Sequence, residues 1–308
     1  MEIIVLGAGA IGSLYGAKLA AENDVTLVAR AKHADAINGN GLRIEGLESQ
    51  TVRIRATTAL EKIGPNALVL VTTKVPDTAA VLAPIAQLVR DDTTIVSLQN
   101  GLHSEKIARR ALGSRGVVLR GITQFGAIFK APGVIQFMAR GYTLLEQHER
   151  SEQIAAVLNA AGLDCRISPD IARDVWHKLI INCVVNPITA ILGCEVWGVA
   201  NPQLDPLKEL VIAECLAVAA SQGVILEGNF QQEISDFFRP SHNIASMLQD
   251  LRRGRPTEID YLNGAVVELG ACHNVACPVN AALTAIIKAM EAIRPMAGPP
   301  TTPTNRGA

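Results

Sequence analysis

The sequence predicts two domains, an α/β domain with a doubly wound parallel sheet followed by an all-α domain. Residues 1–168 alternate short apolar strands with helical stretches, which is the pattern of parallel βαβ units. After residue 168 only long helical periods recur. A glycine-rich turn directly behind the first strand is the third indication. We therefore expect an α/β domain over 1–168, a helical domain over 169–294 and a disordered tail, rich in Pro and Thr, over 295–308.

The individual elements follow from apolar runs that end at turn residues. In the first domain the predicted strands are 3–6, 25–28, 68–72, 94–98 and 117–122, and the predicted helices are 12–22, 76–89 and 103–112. A hairpin is predicted within 40–57 and a further pair of strands within 126–146.

The helical domain is predicted from six stretches with helical periodicity. These are 171–192, 205–222, 230–238, 242–252, 257–273 and 278–293. Two of them contain strongly apolar segments, at 207–221 and 278–290. These segments either pair with a second subunit, which would make a homodimer, or fill the core of the domain.

The balance of charges argues against several classes of partner. The 308 residues carry 28 Lys and Arg against 29 Asp and Glu, so no basic surface for nucleic acid or for a membrane is expected. The first strand starts at residue 3, which leaves no room for a signal peptide, and no apolar run approaches about 18 residues. The six cysteines form no CxxC pair. We expect a cytoplasmic protein with buried, reduced thiols and no metal site.

A GxGxxG pattern, Gly7-Ala8-Gly9-Ala10-Ile11-Gly12, stands between the first strand and the first helix. Gly7 permits a tight turn, Gly9 allows a pyrophosphate to approach the backbone, and Gly12 lets helix and strand pack closely. The helix N-terminus then offers free N–H groups and a positive dipole to phosphates. The alternative is a purely structural turn. The position between strand and helix favours a Rossmann-type dinucleotide site.

The end of the second strand bears on the choice of nicotinamide cofactor. NAD sites usually carry an acid there, which accepts a hydrogen bond from the ribose 2′-hydroxyl. This chain has Val28-Ala29-Arg30, and arginine pairs well with a 2′-phosphate. NADP(H) is therefore favoured over NAD, unless Arg30 is only a charged surface residue. Polar groups also follow other strands, as at a ligand-binding edge, although each also suits an ordinary loop: 72–74, 99–101 and 123–124.

Lys178, Asn182 and Asn186 recur every four residues in an otherwise apolar predicted helix and form a polar stripe on one face. Such a stripe in a core is costly unless it meets a polar partner, which a substrate would supply. Partial burial would lower the pKa of Lys178 from about 10.4, so that it could donate a proton to a ketone oxygen. The asparagines could orient a carbonyl or hydroxyl group. The alternatives are a lysine whose amine reaches water, and asparagines that tie two helices together or brace the kink at Pro187.

Two further groups of polar residues follow in the helical domain. Asn243 and Ser246 share a face of the helix predicted over 242–252, and Ser246 is able to bond a substrate carboxylate. Thr257 as an N-cap would put Glu258 in the first turn of the next helix, where the dipole favours an acid. Helix-start chemistry therefore accounts for Glu258 without a role in catalysis.

Three blocks together resemble the ketopantoate reductase (2-dehydropantoate 2-reductase) family over nearly the whole chain. They are the loop 7–12, the run Trp176-His177-Lys178-Leu179-Ile180-Ile181-Asn182-Cys183-Val184-Val185-Asn186-Pro187, and the segments 246–250 and 257–264. The resemblance implies NADPH-dependent reduction of a 2-oxo acid. In the family case this is the conversion of ketopantoate to pantoate for pantothenate and coenzyme A biosynthesis.

The resemblance also implies roles for individual residues. Lys178 matches the general acid of the family, and Glu258 matches a second essential polar residue. The other matches are contacts: Asn182, Asn243 and Ser246 with the substrate, Arg30 with the 2′-phosphate, and Lys74 and Asn100 in the cleft between nicotinamide and substrate. We expect the cofactor to lie across the carboxyl edge of the sheet, with the substrate in the cleft between the domains.

The chain departs from the family pattern after Gly193-Cys194. Many members carry an Asn-Gly pair there in the substrate pocket, whereas this chain has Glu195-Val196-Trp197-Gly198, with Val196 in place of the asparagine. The identity of the substrate is therefore left open. A reductase of a different or broader set of 2-oxo acids is the first alternative function, and a non-catalytic NADP(H)-binding regulator is the second.

Overall fold

The computed structural model describes residues 1–293, so the tail predicted over 295–308 lies outside the described residues. The chain divides into two compact units, Met1–Leu179 and a second that begins at Ile180. This division falls inside a long helix, whereas the sequence pattern predicts a domain boundary ahead of that helix, between 168 and 169. The first unit therefore includes the start of the helix and, with it, Lys178.

Within residues 1–293 every strand belongs to the first unit. The strands are β1 (Glu2–Leu6), β2 (Asp24–Val28), β3 (Leu42–Gly46), β4 (Gln50–Val52), β5 (Arg55–Thr57), β6 (Leu68–Val71), β7 (Thr94–Ser97), β8 (Val117–Thr123), β9 (Gly126–Ala131), β10 (Val134–Ala139), β11 (Thr143–Glu146) and β12 (Cys165–Ser168). The helices that lie wholly in this unit are α1 (Ala10–Leu19), α2 (Ala31–Asn40), α3 (Thr78–Leu82), α4 (Ser104–Leu112) and α5 (Ser151–Ala160).

The main sheet has eight strands in the order β12-β11-β8-β7-β6-β1-β2-β5. All neighbours from β5 to β8 are parallel, β11 is antiparallel to β8, and β12 is parallel to β11. The chain proceeds from β1 to β2 on one side and returns to β6 on the other, so the strand order reverses beside β1. The predicted doubly wound sheet is confirmed. Strands β6 and β7 are buried throughout, as expected for central strands of a parallel sheet that is covered on both faces.

A second sheet of four strands has the order β4-β3-β10-β9. Strands β3 and β4 form the hairpin predicted within 40–57, and β9 and β10 form the antiparallel pair predicted within 126–146. The two pairs join through parallel pairing of β3 with β10. Sequence patterns do not predict this contact, because it connects distant parts of the chain.

Other differences from the predicted elements have local causes. The helix predicted over 76–89 is reduced to α3 between two 3₁₀ turns, at Val75–Asp77 and Ala83–Ile85, and each turn contains a proline near its start. Helices α2 and α5 and strand β12 have no predicted counterpart. Only three residues of α2 are buried, too few for a recognisable apolar period.

The second unit is helical in the part that the structure describes. Its helices are the second half of α6 (Ile171–Leu192), α7 (Asp205–Ser221), α8 (Phe230–Phe238), α9 (Ser246–Arg252), α10 (Asn263–Cys272) and α11 (Pro278–Ala292). The predicted all-α domain is confirmed as a class. Helix α9 begins later than the predicted helix over 242–252, and the predicted helix over 257–273 is a 3₁₀ turn, Ile259–Tyr261, followed by α10.

Helix α6 is long and apolar enough to cross a membrane by length and composition, contrary to the expectation that no such segment exists. In the structure 61% of its most apolar 18-residue window is buried, as in the core helix of a soluble protein. The six cysteines are free thiols, but Cys194 is half-buried and Cys272 is exposed, so the expectation of general burial is wrong for these two. Burial raises the pKa of the Cys165 thiol to about 12.

Candidate active site

The turn after β1 has the packing that its glycines predict. Gly7 has φ +93°, and a Cβ there would collide with Thr73. A Cβ at Gly12 would collide with Thr72 Oγ1 and lie 2.6 Å from the carbonyl oxygen of Gly7. By contrast, a Cβ at Gly9 would have no neighbour closer than 3.9 Å, so this part of the turn is open for close approach of a ligand. The residues present therefore fit a bound pyrophosphate.

Helix α1 presents its N-terminus at this turn. Its first helical hydrogen bond runs from the Ser13 N–H to the Gly9 carbonyl, 3.0 Å. The N–H groups of Ala10, Ile11 and Gly12 come before this bond, so the helix itself supplies them with no acceptor. Together with the helix dipole they form a site suited to a phosphate anion.

Arg30 lies where β2 ends and α2 begins, at the N-cap position of the helix. The backbone at this corner is fixed, because the Ala29 N–H donates to the Thr57 carbonyl at 2.9 Å. The Arg30 side chain is exposed, and no acid stands among residues 28–30. Residues 28–30 therefore present a cation and no acid at this end of the sheet edge.

Gln99 joins the loop after β7 to the loop after β6. It is only 4% exposed, and its Nε2 donates to the Thr73 carbonyl at 2.9 Å and to Thr78 Oγ1 at 2.7 Å. Its Oε1 accepts from Ser97 Oγ at 3.0 Å. We call these bonds the Gln99 network. The strand-end position predicts a ligand contact for Gln99, but its amide is occupied inside the protein.

The Gln99 network lies directly beside two predicted site residues. Lys74 follows Thr73 in the sequence, and Asn100 follows Gln99. Both are half-buried at the carboxyl ends of adjacent strands, β6 and β7. The network therefore fixes the backbone from which Lys74 and Asn100 project.

A buried arginine in the middle of β8 supports the same loop. Arg120 Nη2 donates to the Gly101 carbonyl at 2.9 Å, and Nη1 donates to Ser104 Oγ. The supported loop turns through two left-handed residues, Gly101 with φ +75° and His103 with φ +65°. Burial lowers the pKa of Arg120, whereas the nearby Glu105 raises it. Arg120 is not among the predicted site residues, although an arginine within an otherwise apolar strand is a visible signal in the sequence.

Lys178 reaches the carboxyl end of β8. Its Nζ donates a hydrogen bond to the Thr123 carbonyl at 2.6 Å, and the side chain is half-buried. Thr123 is the last residue of β8, and β8, β7, β6, β1 and β2 are successive neighbours in the sheet. Strands lie about 4.8 Å apart, so the four intervals from β2 to β8 span about 19 Å. The predicted site residues of the first unit are therefore arranged along one edge: Arg30, Gly7, Ala8, Gly9, Ala10, Ile11, Gly12, Lys74, Asn100 and Lys178.

The second half of α6 has different surroundings. Pro187 lies within the helix and has no N–H, so the carbonyl of Cys183 lacks its helical donor. Asn263 Nδ2, from α10, donates to this carbonyl at 3.0 Å and to Asn280 Oδ1 at 2.8 Å. Glu214 in turn accepts from Asn280 Nδ2 at 2.7 Å. We call these four residues the Asn263 network. It joins helices α6, α10, α11 and α7.

The other polar residues on the stripe differ in burial. Asn182 is half-buried and stands one helical turn after Lys178, on the same face of the helix. Asn186 is 8% exposed and lies beside Pro187. Its burial and position suit bracing of the helix at Pro187 as well as a substrate contact.

The expected helical face of Asn243 and Ser246 is wrong. Asn243 precedes α9 in an irregular segment, and its carbonyl accepts from the Val196 N–H at 2.9 Å. Ser246 is the first residue of α9 and is exposed. The Asn243 bond to Val196 fixes the backbone beside the segment in which the chain departs from the family pattern.

The helix-start interpretation of Glu258 is also wrong. Helix α10 begins at Asn263, and Glu258 precedes the 3₁₀ turn without a capping bond from its side chain. Thr257 instead satisfies the backbone here, since its Oγ1 accepts from the Ile259 N–H at 3.2 Å. Glu258 is half-buried, so dipole stabilisation at a helix start no longer accounts for this acid.

The departing segment 195–198 forms part of a 3₁₀ turn, Val196–Ala200. Val196 is buried, whereas Trp197 remains 48% exposed. Glu195 accepts from Trp197 Nε1 at 3.0 Å and lies 2.9 Å from His242 Nδ1, and the bond to His242 lowers the pKa of Glu195. The Trp197 indole is therefore held by the Glu195 carboxylate. No group of three metal-ligating side chains occurs among residues 1–293.

Comparison with known proteins identifies relatives over nearly the full length. The family models "Ketopantoate reductase PanE/ApbA" and "Ketopantoate reductase PanE/ApbA C terminal" match residues 3–150 and 170–291. A 2-dehydropantoate 2-reductase of Pyrococcus horikoshii is 38% identical over 302 residues, which cover 95% of this chain and 98% of that protein.

Two solved structures have a similar fold. A PanE/ApbA family ketopantoate reductase from Ralstonia eutropha JMP134 superposes with a TM-score of 0.87 at 30% identity, covering 95% of this chain and 99% of that one. D-mandelate dehydrogenase, solved with NADH and anilino(oxo)acetate, superposes with a TM-score of 0.89 at 26% identity, covering 95% and 98%.

The fold and the sheet-edge residues define an oxidoreductase that uses a nicotinamide dinucleotide. The chain belongs to the ketopantoate reductase family. It is accordingly an enzyme of an NAD(P)-dependent reductase family whose substrate is a small keto acid.

Proposed function

We propose that the protein is a cytoplasmic, NADPH-dependent reductase that converts a 2-oxo acid to a 2-hydroxy acid. The favoured substrate is 2-dehydropantoate, reduced to pantoate in pantothenate and coenzyme A biosynthesis. The observation that carries the proposal is the placement of Lys178 Nζ at the end of β8, on the same sheet edge as the Gly7–Gly12 turn.

The chemistry needs one hydride and one proton. When bound, the reduced nicotinamide supplies the hydride to C2 of the substrate. Lys178 donates a proton to the substrate oxygen as negative charge develops there, so the ketone becomes an alcohol. An ammonium group has three N–H donors, and the Thr123 carbonyl engages one of them. This bond orients the amine at the carboxyl end of β8.

NADPH is proposed as the cofactor because of the corner at the end of β2. An exposed arginine at this corner is suited to bidentate bonds with a 2′-phosphate. The corner also lacks the acid that NAD sites use for the 2′-hydroxyl. A solved relative, D-mandelate dehydrogenase, contains NADH, so NADH is the cofactor to compare directly.

The remaining roles rest on the family resemblance. We propose that Glu258 is the second catalytic residue, because it matches the second essential polar residue of the family. Asn182, Asn243 and Ser246 are proposed to contact the substrate, and Lys74 and Asn100 to line the nicotinamide end of the site. Asn186 is retained as a substrate contact, with bracing at Pro187 as its alternative.

A broader or different substrate range is the second candidate function. Two observations favour it: Val196 stands where many members carry an asparagine, and a structural neighbour is a D-mandelate dehydrogenase. A buried apolar side chain in place of an amide favours a substrate with a larger apolar group at C3. The third candidate, a non-catalytic NADP(H)-binding regulator, predicts cofactor binding without turnover.

Absorbance of NADPH, followed with pure protein and ketopantoate, tests the proposal directly. A panel of 2-oxo acids with and without a 4-hydroxyl group, and with aliphatic or aromatic C3 substituents, then ranks kcat/KM. The highest value with ketopantoate supports the favoured substrate, and a higher value with an aromatic 2-oxo acid supports the second candidate. Absence of turnover with the whole panel would overturn the enzymatic proposal.

A further inference from the structure

A buried histidine connects the dinucleotide turn to the second sheet. His33, in the first turn of α2, is 5% exposed. Its Nδ1 lies 2.8 Å from the Gly133 N–H, and its Nε2 lies 3.1 Å from Ser13 Oγ. Ser13, fully buried in α1, donates to the Ala8 carbonyl at 3.2 Å. The bonds form a chain from the β9–β10 turn to the GxGxxG turn.

The direction of every bond in this chain is fixed by its chemistry. A backbone N–H can only donate, so Nδ1 of His33 accepts from Gly133. In a neutral ring the proton is then on Nε2, which donates to Ser13 Oγ, and the Ser13 hydroxyl proton goes to the Ala8 carbonyl. Burial lowers the pKa of His33, which is consistent with the neutral ring that this chain requires.

The Ala8 carbonyl is a sensitive point in the turn. Ala8 lies between Gly7 and Gly9, and its carbonyl shares a peptide unit with the Gly9 N–H, which donates to the Gly7 carbonyl at 2.6 Å. A bond that holds the Ala8 carbonyl therefore fixes the peptide unit directly ahead of α1. The same histidine is anchored near the proposed 2′-phosphate site, because the His33 N–H donates to the Arg30 carbonyl at 2.9 Å. The backbone of His33 thus belongs to the helix turn that begins at Arg30, while its side chain reaches the GxGxxG turn through Ser13.

We propose that His33 is a positioning residue for the cofactor, which holds the GxGxxG turn in its phosphate-binding conformation through Ser13 and the Ala8 carbonyl. The inference rests on the proposed function, because it assumes that this turn binds the dinucleotide. The competing explanation is that His33 only fills space, packed edge-on against Phe129 with ring centroids 4.8 Å apart.

Two substitutions of His33 each keep one of its two side-chain hydrogen bonds and remove the other. In His33→Asn the side-chain oxygen can replace Nδ1, so the bond from Gly133 is kept and the bond to Ser13 is lost. In His33→Gln the amide nitrogen can replace Nε2, so the bond to Ser13 is kept. His33→Phe keeps the packing and loses both bonds. We expect His33→Asn and His33→Phe to raise the Kd for NADPH about fivefold, and His33→Gln to stay within about twofold of the wild type.

The experiment measures NADPH binding by fluorescence titration, with Tm on the same samples. Asn38→Ala is the matched control, because it removes two hydrogen bonds between α2 and Ala56, 2.8 and 3.0 Å long, and should lower Tm without changing Kd. Equal Kd values in wild type and His33→Asn, or equal losses in His33→Asn and His33→Gln, would overturn the inference. Wild-type protein that binds neither NADPH nor NADH would instead overturn the proposed function itself.

Discussion

The two halves of helix α6 place polar groups in different surroundings. In the first half Lys178 bonds the Thr123 carbonyl at the carboxyl end of β8, on the proposed cofactor edge. In the second half Pro187 frees the Cys183 carbonyl, and Asn263 occupies it within a buried network of the helical unit. The first half presents an amine where a ligand is expected, whereas the second half contributes a backbone carbonyl to a network that holds helices together. A polar stripe thus becomes a functional assignment only when the contacts of each member are known.

The largest stability effect should come from Asn263→Leu. The substitution leaves the Cys183 carbonyl and Asn280 Oδ1 without the amide donor, and it also removes Asn263 Oδ1, which is buried without a partner. We expect the free energy of unfolding to fall by about 2–3 kcal/mol. Pro187→Ala restores a helical N–H donor for the Cys183 carbonyl. In chemical denaturation, the double variant Asn263→Leu/Pro187→Ala should therefore lose less unfolding free energy than Asn263→Leu alone. A large loss of kcat in folded Asn263→Leu enzyme would contradict the structural assignment.

Substitution of Arg30 tests the cofactor end of the sheet edge. Arg30→Ala should raise the Kd for NADPH about tenfold, because charge-assisted bonds to the 2′-phosphate are lost. The Kd for NADH should remain within about twofold. Arg115→Ala removes the same charge from an exposed site bonded to Gln87 and serves as the control. Equal effects of Arg30→Ala on both cofactors would show that the arginine does not select the phosphate.

Loss of the Gln99 network should have a smaller effect on turnover. Gln99→Leu removes the bonds to Thr73, Thr78 and Ser97, so Lys74 and Asn100 lose their fixed backbone spacing. We expect kcat to fall about fivefold at saturating cofactor. Arg109→Ala, which breaks a 2.8 Å bond to the Val118 carbonyl at the opposite end of β8, is a control for stability alone. If kcat is the same in Gln99→Leu and Arg109→Ala, the Gln99 network does not contribute to turnover.

The smallest expected effect is a pH dependence of stability due to His33. Burial lowers its pKa in the folded state, so the unfolded chain binds a proton first as the pH falls below about 6.5. The stabilisation is therefore complete above pH 6.5 and is lost as the pH falls through the folded-state pKa. The difference in unfolding free energy between wild type and His33→Gln should narrow between pH 8 and pH 5. A difference that stays constant would contradict a neutral, buried ring.

Much of the fold was predictable because apolar runs and glycine turns are local signals. The bounds of α6 and α8 agree with the predicted ranges, and the Gly7–Gly12 turn has the packing that its spacing requires. The later start of α10 was not predictable, because Thr257 Oγ1 bonds the Ile259 N–H in a turn that precedes the helix. The pairing of β3 with β10 depends on segments far apart in the chain, which no local pattern connects.

The sequence identified most residues of the candidate site, but it did not identify their hydrogen-bond partners. Lys178 and the sheet edge were both identified, but only the structure shows that Thr123 joins them. Gln99 has the same polar character as Asn100 beside it, yet its amide is used internally by Thr73 and Thr78. His33 and Arg120 were missed, since their importance lies in partners from other strands and turns.

Turnover and cofactor binding of Lys178→Ala, measured on one preparation, test the central claim most directly. If Lys178 is the acid at the sheet edge, the Kd for NADPH should stay within about twofold of the wild type while kcat with the best 2-oxo acid falls by about 10²–10⁴-fold. A kcat within tenfold of the wild type, at unchanged NADPH affinity, would contradict the account.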